Sequence, residues 1–239
     1  MVKKSAEEAH RDAVRAQAKE ERIFLGPYSS HSLRTDAKHL CFVLSRYKFC
    51  AKLLEGKRTV LEIGCGDAVG LPIVAQAVGR VYATDWDAAI IEENKQRASF
   101  LTNCTFSRFD ILEKPFTETL DAVYLLDVIE HLEPSEEPRV MEHITKSLCK
   151  AGICLVGTPN KEASRFASPQ SEVGHINLKN HRELRVLMER YFSNVFLFSM
   201  NDEVVHTGFY PLAHYLIAMG VGLRDASGGE RSGEAPSGE

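Results

Sequence analysis

The sequence predicts an α/β fold: a doubly wound, Rossmann-like sheet of seven mostly parallel strands that ends in an antiparallel β-hairpin and follows N-terminal helices. Three observations support this prediction. Strand-like and helical segments alternate from Thr59 onward, as in a parallel sheet built from βαβ units. The glycine-rich stretch Gly64–Gly70 directly follows the first apolar strand. Near the end, Val195–Met200 and Glu203–Thr207 are strand-like and are joined by Asn201-Asp202, a good short-hairpin sequence.

The remaining elements are predicted in chain order. The five parallel strands are placed at Thr59–Ile63, Arg80–Thr84, Cys104–Ser107, Ala122–Leu126 and Gly152–Gly157. The helices between and after them are placed at Gly70–Val78, Ala88–Ser99, Ser135–Cys149 and Asn180–Tyr191.

We divide the chain into three parts. Residues 1–55 are expected to form a helical extension that serves as the substrate wall, with a polar helix up to about Glu21 and an apolar helical stripe from Asp36 to Leu54. Residues 56–224 are expected to form the α/β domain. Residues 225–239 are rich in Gly, Ser, Glu and Pro, which predicts a disordered tail.

Composition narrows the classes of function. The chain has 239 residues and a formal net charge of −4, so it suits one sizeable α/β domain and lacks the basic footprint of a nucleic-acid-binding protein. Its six cysteines contain no C-x-x-C pair, and no signal-peptide core opens the chain, which favours the reducing cytoplasm. The longest apolar run is too short to span a membrane.

The glycine-rich turn after the first strand predicts a ligand site. Gly64 and Gly66 allow a ligand to approach the backbone closely, because glycine has no Cβ and adopts positive φ readily. A dinucleotide-binding turn has the pattern G-x-G-x-x-G, but here the third glycine, Gly70, comes one position late. Glu62 precedes the turn, and a carboxylate there repels pyrophosphate and favours a ligand that carries positive charge.

These residues resemble the cofactor site of the class I S-adenosylmethionine (SAM) methyltransferases. The resemblance extends from about Val60 to Gly208 and rests on four ordered motifs. These are Glu62-x-Gly64-x-Gly66, Asp85, Phe109-Asp110-Ile111 and Asp127-Val128-Ile129-Glu130-His131-Leu132. The last string is similar to that of the ubiquinone-biosynthesis type of O-methyltransferase. The resemblance implies a seven-stranded sheet with a terminal hairpin, and SAM as cofactor. Ala68 departs from the pattern, since many relatives have a third glycine there.

The resemblance implies a set of cofactor-binding residues at the carboxyl ends of the strands, where doubly wound sheets bind ligands. The set is Glu62, Gly64, Cys65, Gly66, Asp85, Trp86, Asp110, Ile111 and Asp127. Asp85 ends the second strand, where its carboxylate can accept both ribose hydroxyls. Trp86 either flanks the adenine or packs in the fold. Asp110 either accepts the adenine amino group, with Ile111 against the ring, or caps the following turn.

Asp127, Glu130, His131 and His175 are the predicted catalytic residues. The first three follow the fourth strand, and their spacing places them on one face if the turn is helical. His131 is either a general base or, with the carboxylates and His175, a ligand of Mg²⁺ or another divalent ion. A third alternative is that the acids only orient the turn. His175 lies in the segment Pro159–Leu178, whose length predicts an active-site lid.

The methyl acceptor is predicted only by class: a small molecule or a glycan building block. Five basic residues either present positive charge to an anionic acceptor or form a solvated face. These are Arg34, Lys38, Arg46, Lys48 and Arg165. Phe209–Leu223 is either a cover of the core or a self-association helix, and the second alternative would make the protein a homodimer.

Two other functions compete with an O-methyltransferase. An NAD-dependent oxidoreductase is opposed by Glu62, by the late third glycine and by the terminal hairpin. A non-catalytic, methyltransferase-like binding subunit is opposed by the intact Gly64, Gly66, Asp85 and Asp110.

Overall fold

The structure is a computed structural model that describes residues 5–20, 23–166 and 174–224. One eight-stranded sheet organises it, with the strand order β3-β2-β1-β4-β5-β8-β6-β7. The first five strands are β1 (Thr59–Ile63), β2 (Arg80–Asp85), β3 (Cys104–Arg108), β4 (Leu120–Leu126) and β5 (Leu148–Pro159). Their neighbouring pairs are all parallel. The predicted α/β, doubly wound fold is therefore confirmed, with one strand more than expected.

The antiparallel part of the sheet comprises β6 (Phe192–Asn201), β7 (Val204–His206) and β8 (Tyr215–Leu223). The hairpin predicted around Asn201-Asp202 is present as the pair β6–β7. It does not join β5 directly, because β8 lies between β5 and β6 and pairs antiparallel with both.

Strand β8 corrects the prediction for Phe209–Leu223, since a self-association helix there is wrong. The first four residues of the strand are all buried, which a two-sided cover of helices requires of an interior strand. Gly220 shows why the segment is extended: a Cβ there would lie 2.4 Å from the Phe192 ring. The glycine therefore lets a large side chain of β6 pack across the strand.

Helices cover both faces of the sheet. The helices of the described residues are α1 (Ala6–Glu20), α2 (Pro27–Thr35), α3 (Ala37–Leu54), α4 (Leu71–Ala75), α5 (Ala88–Arg97), α6 (Glu137–Ser147) and α7 (His181–Glu189). One buried cluster joins the sheet to α6 and α7, and a second joins its other face to α3, α4 and α5. Helix α2 was not predicted. Within the described ranges, no helix has the length and apolarity that a membrane span needs.

The predicted division of the chain lies only partly within the described residues. The disordered tail at 225–239 falls outside them, as do residues 167–173 of the predicted lid. The helical extension at 1–55 is described as α1 to α3, and α3 packs closely on α4 next to the first strand. Helix α3 therefore lies beside the glycine-rich loop, and the role of the extension as a substrate wall stays a prediction.

Candidate active site

The glycine-rich loop after β1 adopts a conformation that needs its small residues. Gly64 has φ +73° and Gly66 has φ +49°, and Ala68 also has a positive φ of 57°. A Cβ at Gly64 would lie 2.5 Å from Val128, which follows β4. The loop therefore brings the ends of β1 and β4 together. Ala68, the position that departs from the family pattern, has the left-handed conformation that favours glycine.

Asp85 organises the loop from the end of β2. Its Oδ2 accepts the N–H of Gly66 at 3.0 Å, and its Oδ1 accepts the N–H of Asp87 at 3.0 Å. The residue is 9% exposed, so the carboxylate is fixed but still reaches the surface. Trp86 beside it is 72% exposed, which excludes the alternative that it packs in the fold.

Helix α5 holds the loop from the opposite side. Asn94 is fully buried and donates to the Gly66 carbonyl at 2.7 Å and to Cys65 Sγ at 3.7 Å. Arg97 donates to the Asp67 carbonyl at 3.1 Å. Asn94 was not predicted, because an amide in an amphipathic helix is not distinguishable by sequence from a polar surface residue.

Glu62 lies beneath the loop instead of lining it. The side chain is 1% exposed, and Oε2 has no hydrogen-bond partner among the described residues. Burial raises the pKa of Glu62 to about 7, although the nearby Tyr47 and Tyr124 act in the opposite direction. An acid in this state gains most from a positive charge brought close to it.

Asp110 caps the turn that follows β3. Its Oδ1 accepts the N–H of Leu112 at 2.8 Å, so the capping alternative is present in the structure. Because a carboxylate accepts several hydrogen bonds, this contact leaves the second oxygen for a ligand. Ile111 is only 5% exposed and belongs to the core cluster that packs on α6.

Asp127 forms an ion pair that the sequence did not predict. Arg46 Nη1 lies 2.7 Å from Asp127 Oδ2, and the guanidinium stacks 3.8 Å from the centre of the Tyr215 ring. Asp127 itself has a left-handed φ of 57°. Arg46 was expected to lie on a substrate wall or a solvated face. It is instead 9% exposed, because Asp127 and Tyr215 together compensate its charge in the interior.

Glu130 follows within a single 3₁₀ turn, Ile129–His131. The side chain is fully buried, its Oε2 accepts the Thr158 hydroxyl at 3.1 Å, and Oε1 has no partner among the described residues. Burial and the nearby Asp127 carboxylate raise the pKa of Glu130 to about 8. The raised pKa favours the protonated form of this carboxyl.

His131 and His175 meet at the mouth of the site. Their ring centres are 5.1 Å apart. His131 Nδ1 lies 2.8 Å from the carbonyl oxygen of Gly174. Since a carbonyl only accepts, Nδ1 carries the hydrogen and the neutral ring keeps Nε2 as an acceptor. Burial and the neighbouring His131 lower the pKa of His175.

Three of the four predicted ligands lie together. One possible metal-ligating atom from each of Glu130, His131 and His175 lies within 4.8 Å of the other two. Asp127 is not part of this group among the described residues and pairs with Arg46 instead. The predicted four-residue constellation is therefore a three-residue cluster beside an ion pair.

The segment that carries His175 is anchored by a buried polar network. The Asn177 N–H donates to the Glu130 carbonyl at 3.0 Å, and Asn177 Nδ2 donates to Glu137 Oε1 at 2.5 Å. Lys179 forms an ion pair with Glu137. All three residues are buried. Sequence analysis missed them, because a polar stretch after a loop reads as solvated surface.

The fold resembles that of known methyltransferases. A family model described as a methyltransferase domain matches residues 60–152. The solved structure of a DhpI-SAM-HEP complex superposes with a TM-score of 0.60 at 15% identity, covering 94% of this chain and 100% of that one. The fold is that of the class I methyltransferases. N-methyltransferase NodS from Bradyrhizobium japonicum WM9 gives a TM-score of 0.56 at 17% identity, over 78% of this chain and 96% of its own.

Curated methyltransferases share a shorter stretch of the sequence. A probable S-adenosylmethionine-dependent methyltransferase of Mycolicibacterium smegmatis is 31% identical over 110 residues. A protein of the same description from Mycobacterium tuberculosis is 27% identical over 110 residues. These matches cover 44% of this chain. The chain spans only 39% and 36% of the length of the two relatives. The similarity is thus confined to a stretch of 110 residues, and the rest of each relative lies outside the match.

Proposed function

We propose that the protein is a SAM-dependent methyltransferase that methylates an oxygen atom of a small-molecule or glycan acceptor. The observation that carries this proposal is the cluster of Glu130, His131 and His175 at the carboxyl end of β4. It lies next to the glycine-rich loop, since Val128 touches the position of a Gly64 Cβ. A proton acceptor and a cofactor loop thus share one edge of the sheet.

The residues around the loop fit SAM. Gly64 and Gly66 provide a cradle that side chains would fill, and Asp85 presents a fixed carboxylate to the ribose hydroxyls. The unpartnered oxygen of the buried Glu62 is suited to a ligand with ammonium and sulfonium charges. Trp86, Asp110 and Cys65 complete the proposed set, and the backbone after Asp127 closes it.

The cofactor supplies a methyl group on a positively charged sulfur. The protein has to align the acceptor oxygen, exclude water and remove the acceptor proton. His131 is suited to the last step, because its Nδ1 donates to Gly174 and its Nε2 is left as the base. Glu130 holds its own proton and gives the imidazoles a neutral, buried neighbour.

A divalent ion is the competing account of the same cluster. Glu130 Oε1 has no partner among the described residues, and both imidazoles lie close enough to share an ion such as Mg²⁺ with it. Bound there, the ion would acidify an acceptor hydroxyl. A chelator separates the accounts: activity that persists in EDTA supports the base, and activity lost in EDTA and restored by Mg²⁺ or Mn²⁺ supports the metal.

Oxygen as the acceptor atom is supported by the similarity of residues 127–132 to the ubiquinone-type O-methyltransferases and by the placed base. The prediction that the acceptor is anionic has weaker support, because Arg46 is ion-paired with Asp127 and is therefore not free to bind an anion. The remaining basic residues are exposed: Arg34, Lys38, Lys48 and Arg165. The prediction of a homodimer has lost its basis, because the self-association helix expected at Phe209–Leu223 is absent and this segment contains strand β8. A cytoplasmic location stays a prediction that rests on the cysteine pattern.

Calorimetric titration with SAM, S-adenosylhomocysteine (SAH) and NAD tests the proposal, together with turnover on a panel of hydroxyl-, amine- and thiol-bearing acceptors. We expect binding of SAM and SAH, no binding of NAD, and methylation of hydroxyl acceptors. Binding without turnover of any acceptor would favour the non-catalytic subunit. Binding of NAD alone would favour the oxidoreductase.

A further inference from the structure

The start of helix α2 is fastened to the glycine-rich loop. The side chain of Asp67 accepts two hydrogen bonds from Ser29, one from the N–H and one from the hydroxyl, both at 2.7 Å. Both residues are buried, at 7% and 3% exposure. Gly26 lies so close that a Cβ there would be 2.3 Å from Asp67 Cβ. A segment outside the family match is therefore held directly on the loop that it precedes by 38 residues.

This attachment places Tyr28 over the loop. A Cβ at Gly66 would lie 3.8 Å from Tyr28 Cδ2, which is ordinary van der Waals contact. Burial and the nearby carboxylates of Asp87, Asp85 and Asp67 raise the pKa of Tyr28. The ring therefore lies beside both the glycine backbone and the aspartate that is proposed to bind ribose.

Exposure distinguishes Tyr28 from a packing residue. The side chain is 61% exposed although its backbone neighbour Ser29 is buried. Trp86, the residue that follows Asp85 in the chain, is 72% exposed. Two large exposed rings, one over the glycine-rich loop and one on the residue after Asp85, are typical of a surface that a ligand completes. A ligand bound at Asp85 would bury apolar area on both.

We propose that Tyr28 is a cofactor-binding residue whose ring covers the cofactor bound at Gly66 and Asp85, and that Ser29 is its positioning residue through Asp67. This inference rests on the proposed function, because the cofactor is SAM. The contact is apolar packing of the ring, so the hydroxyl is dispensable and the sulfonium charge is not required. SAM and SAH are therefore affected alike.

The test measures SAH and SAM affinity by calorimetry in the full chain. We expect Tyr28→Ala to weaken both ligands by about three- to tenfold, the range for one well-packed aromatic contact. Tyr28→Phe keeps wild-type affinity. Ser29→Ala weakens the binding of both ligands but changes the unfolding temperature of the ligand-free protein little. Ser29→Thr restores the affinity for both ligands. The matched control is Phe196→Ala, which removes a half-exposed ring from β6 and should leave affinity unchanged.

The outcomes separate the two proposals. No binding of SAH or SAM by the wild type overturns the proposed function. Wild-type binding with unchanged affinity in a folded Tyr28→Ala variant overturns the cofactor role of Tyr28. Loss of affinity in Tyr28→Phe shows that the hydroxyl makes the contact and overturns the packing account. If Tyr28→Ala does not fold, the pair Ser29→Ala and Ser29→Thr decides: equal affinity in both overturns the positioning role.

Discussion

The cofactor side and the acceptor side of the site are built by different means. On the cofactor side, the backbone groups of the loop after β1 are bonded by the side chains of Asp85, Asn94 and Arg97, as in the hydrogen bond from the Gly66 amide to Asp85. On the acceptor side, the turn after β4 is held by side chains from distant parts of the chain. Arg46 reaches Asp127 across 81 positions, and Asn177 reaches Glu137 across 40.

The difference indicates how each side can vary. A loop that depends on glycines and on several hydrogen bonds to its backbone tolerates few substitutions, which suits a cofactor that never changes. An acceptor side assembled from helix α3, the 3₁₀ turn and the segment 174–179 can exchange one contributor at a time. We infer that acceptor specificity is set on this side.

The largest expected effect is on the acceptor side. His131→Ala removes the proposed base and should lower turnover by about a hundredfold or more, the usual contribution of a positioned proton transfer. Steady-state kinetics at saturating SAM would measure it, with SAH affinity kept. His10→Ala, on the exposed face of α1, is the control. Wild-type turnover in His131→Ala would reduce the cluster to a structural turn.

The next effect is on the cofactor side. Asp85→Ala removes the acceptor for the ribose hydroxyls and leaves two loop amides unpaired, so SAM binding should weaken by about 1–3 kcal/mol. Calorimetry measures this. Asp121→Ala is a matched control, because Asp121 accepts the Arg58 amide at 2.8 Å near the amino end of β4. Equal SAM affinity in wild type and Asp85→Ala would remove Asp85 from the cofactor site.

Two ion pairs test how much the acceptor side depends on buried charge. Arg46→Met leaves Asp127 without its partner, and we expect the free energy of unfolding to fall by about 1–3 kcal/mol. The cost stays below that of a fully buried pair because the Asp127 side chain is 36% exposed. Arg58→Met, in a pair whose arginine is 88% exposed, should change little. Urea denaturation of both variants would refute this prediction if the two losses were equal.

The last effect concerns Glu62 and depends on pH. Its pKa of about 7 in the folded protein exceeds the usual value of about 4.3. Between these values the folded state holds a proton that the unfolded state has released, so the contribution of Glu62 to stability falls as pH rises through this window. The unfolding temperature of ligand-free Glu62→Gln, minus that of the wild type, should therefore increase as the pH is raised from 5 to 8. A constant difference across that range would show that Glu62 titrates normally.

The cofactor side was largely predictable from sequence, and the acceptor side was not. Strand bounds at β1 and β2, the glycine loop and the position of Asp85 follow from local patterns of apolar residues and turns. The prediction for Arg46 was wrong, because a charged side chain in a helix is usually solvated. Here Asp127 and Tyr215, which are distant in sequence, compensate its charge in the interior. Asn94, Asn177 and Lys179 were missed for the same reason. Strand β8 was missed because a continuous apolar run has no period that separates strand from buried helix.

Strand β8 also has a consequence for synthesis. The ribosome releases Tyr215–Leu223 after every other described strand, yet the strand lies inside the sheet between β5 and β6. Until then, β5 and β6 present open edges that invite pairing with other chains. Contacts between β5 and β8 bridge about sixty positions and close late, as non-local pairings do. A nascent chain that has folded its cofactor loop therefore still needs β8 before the Tyr215 ring can stack on Arg46 at the acceptor side.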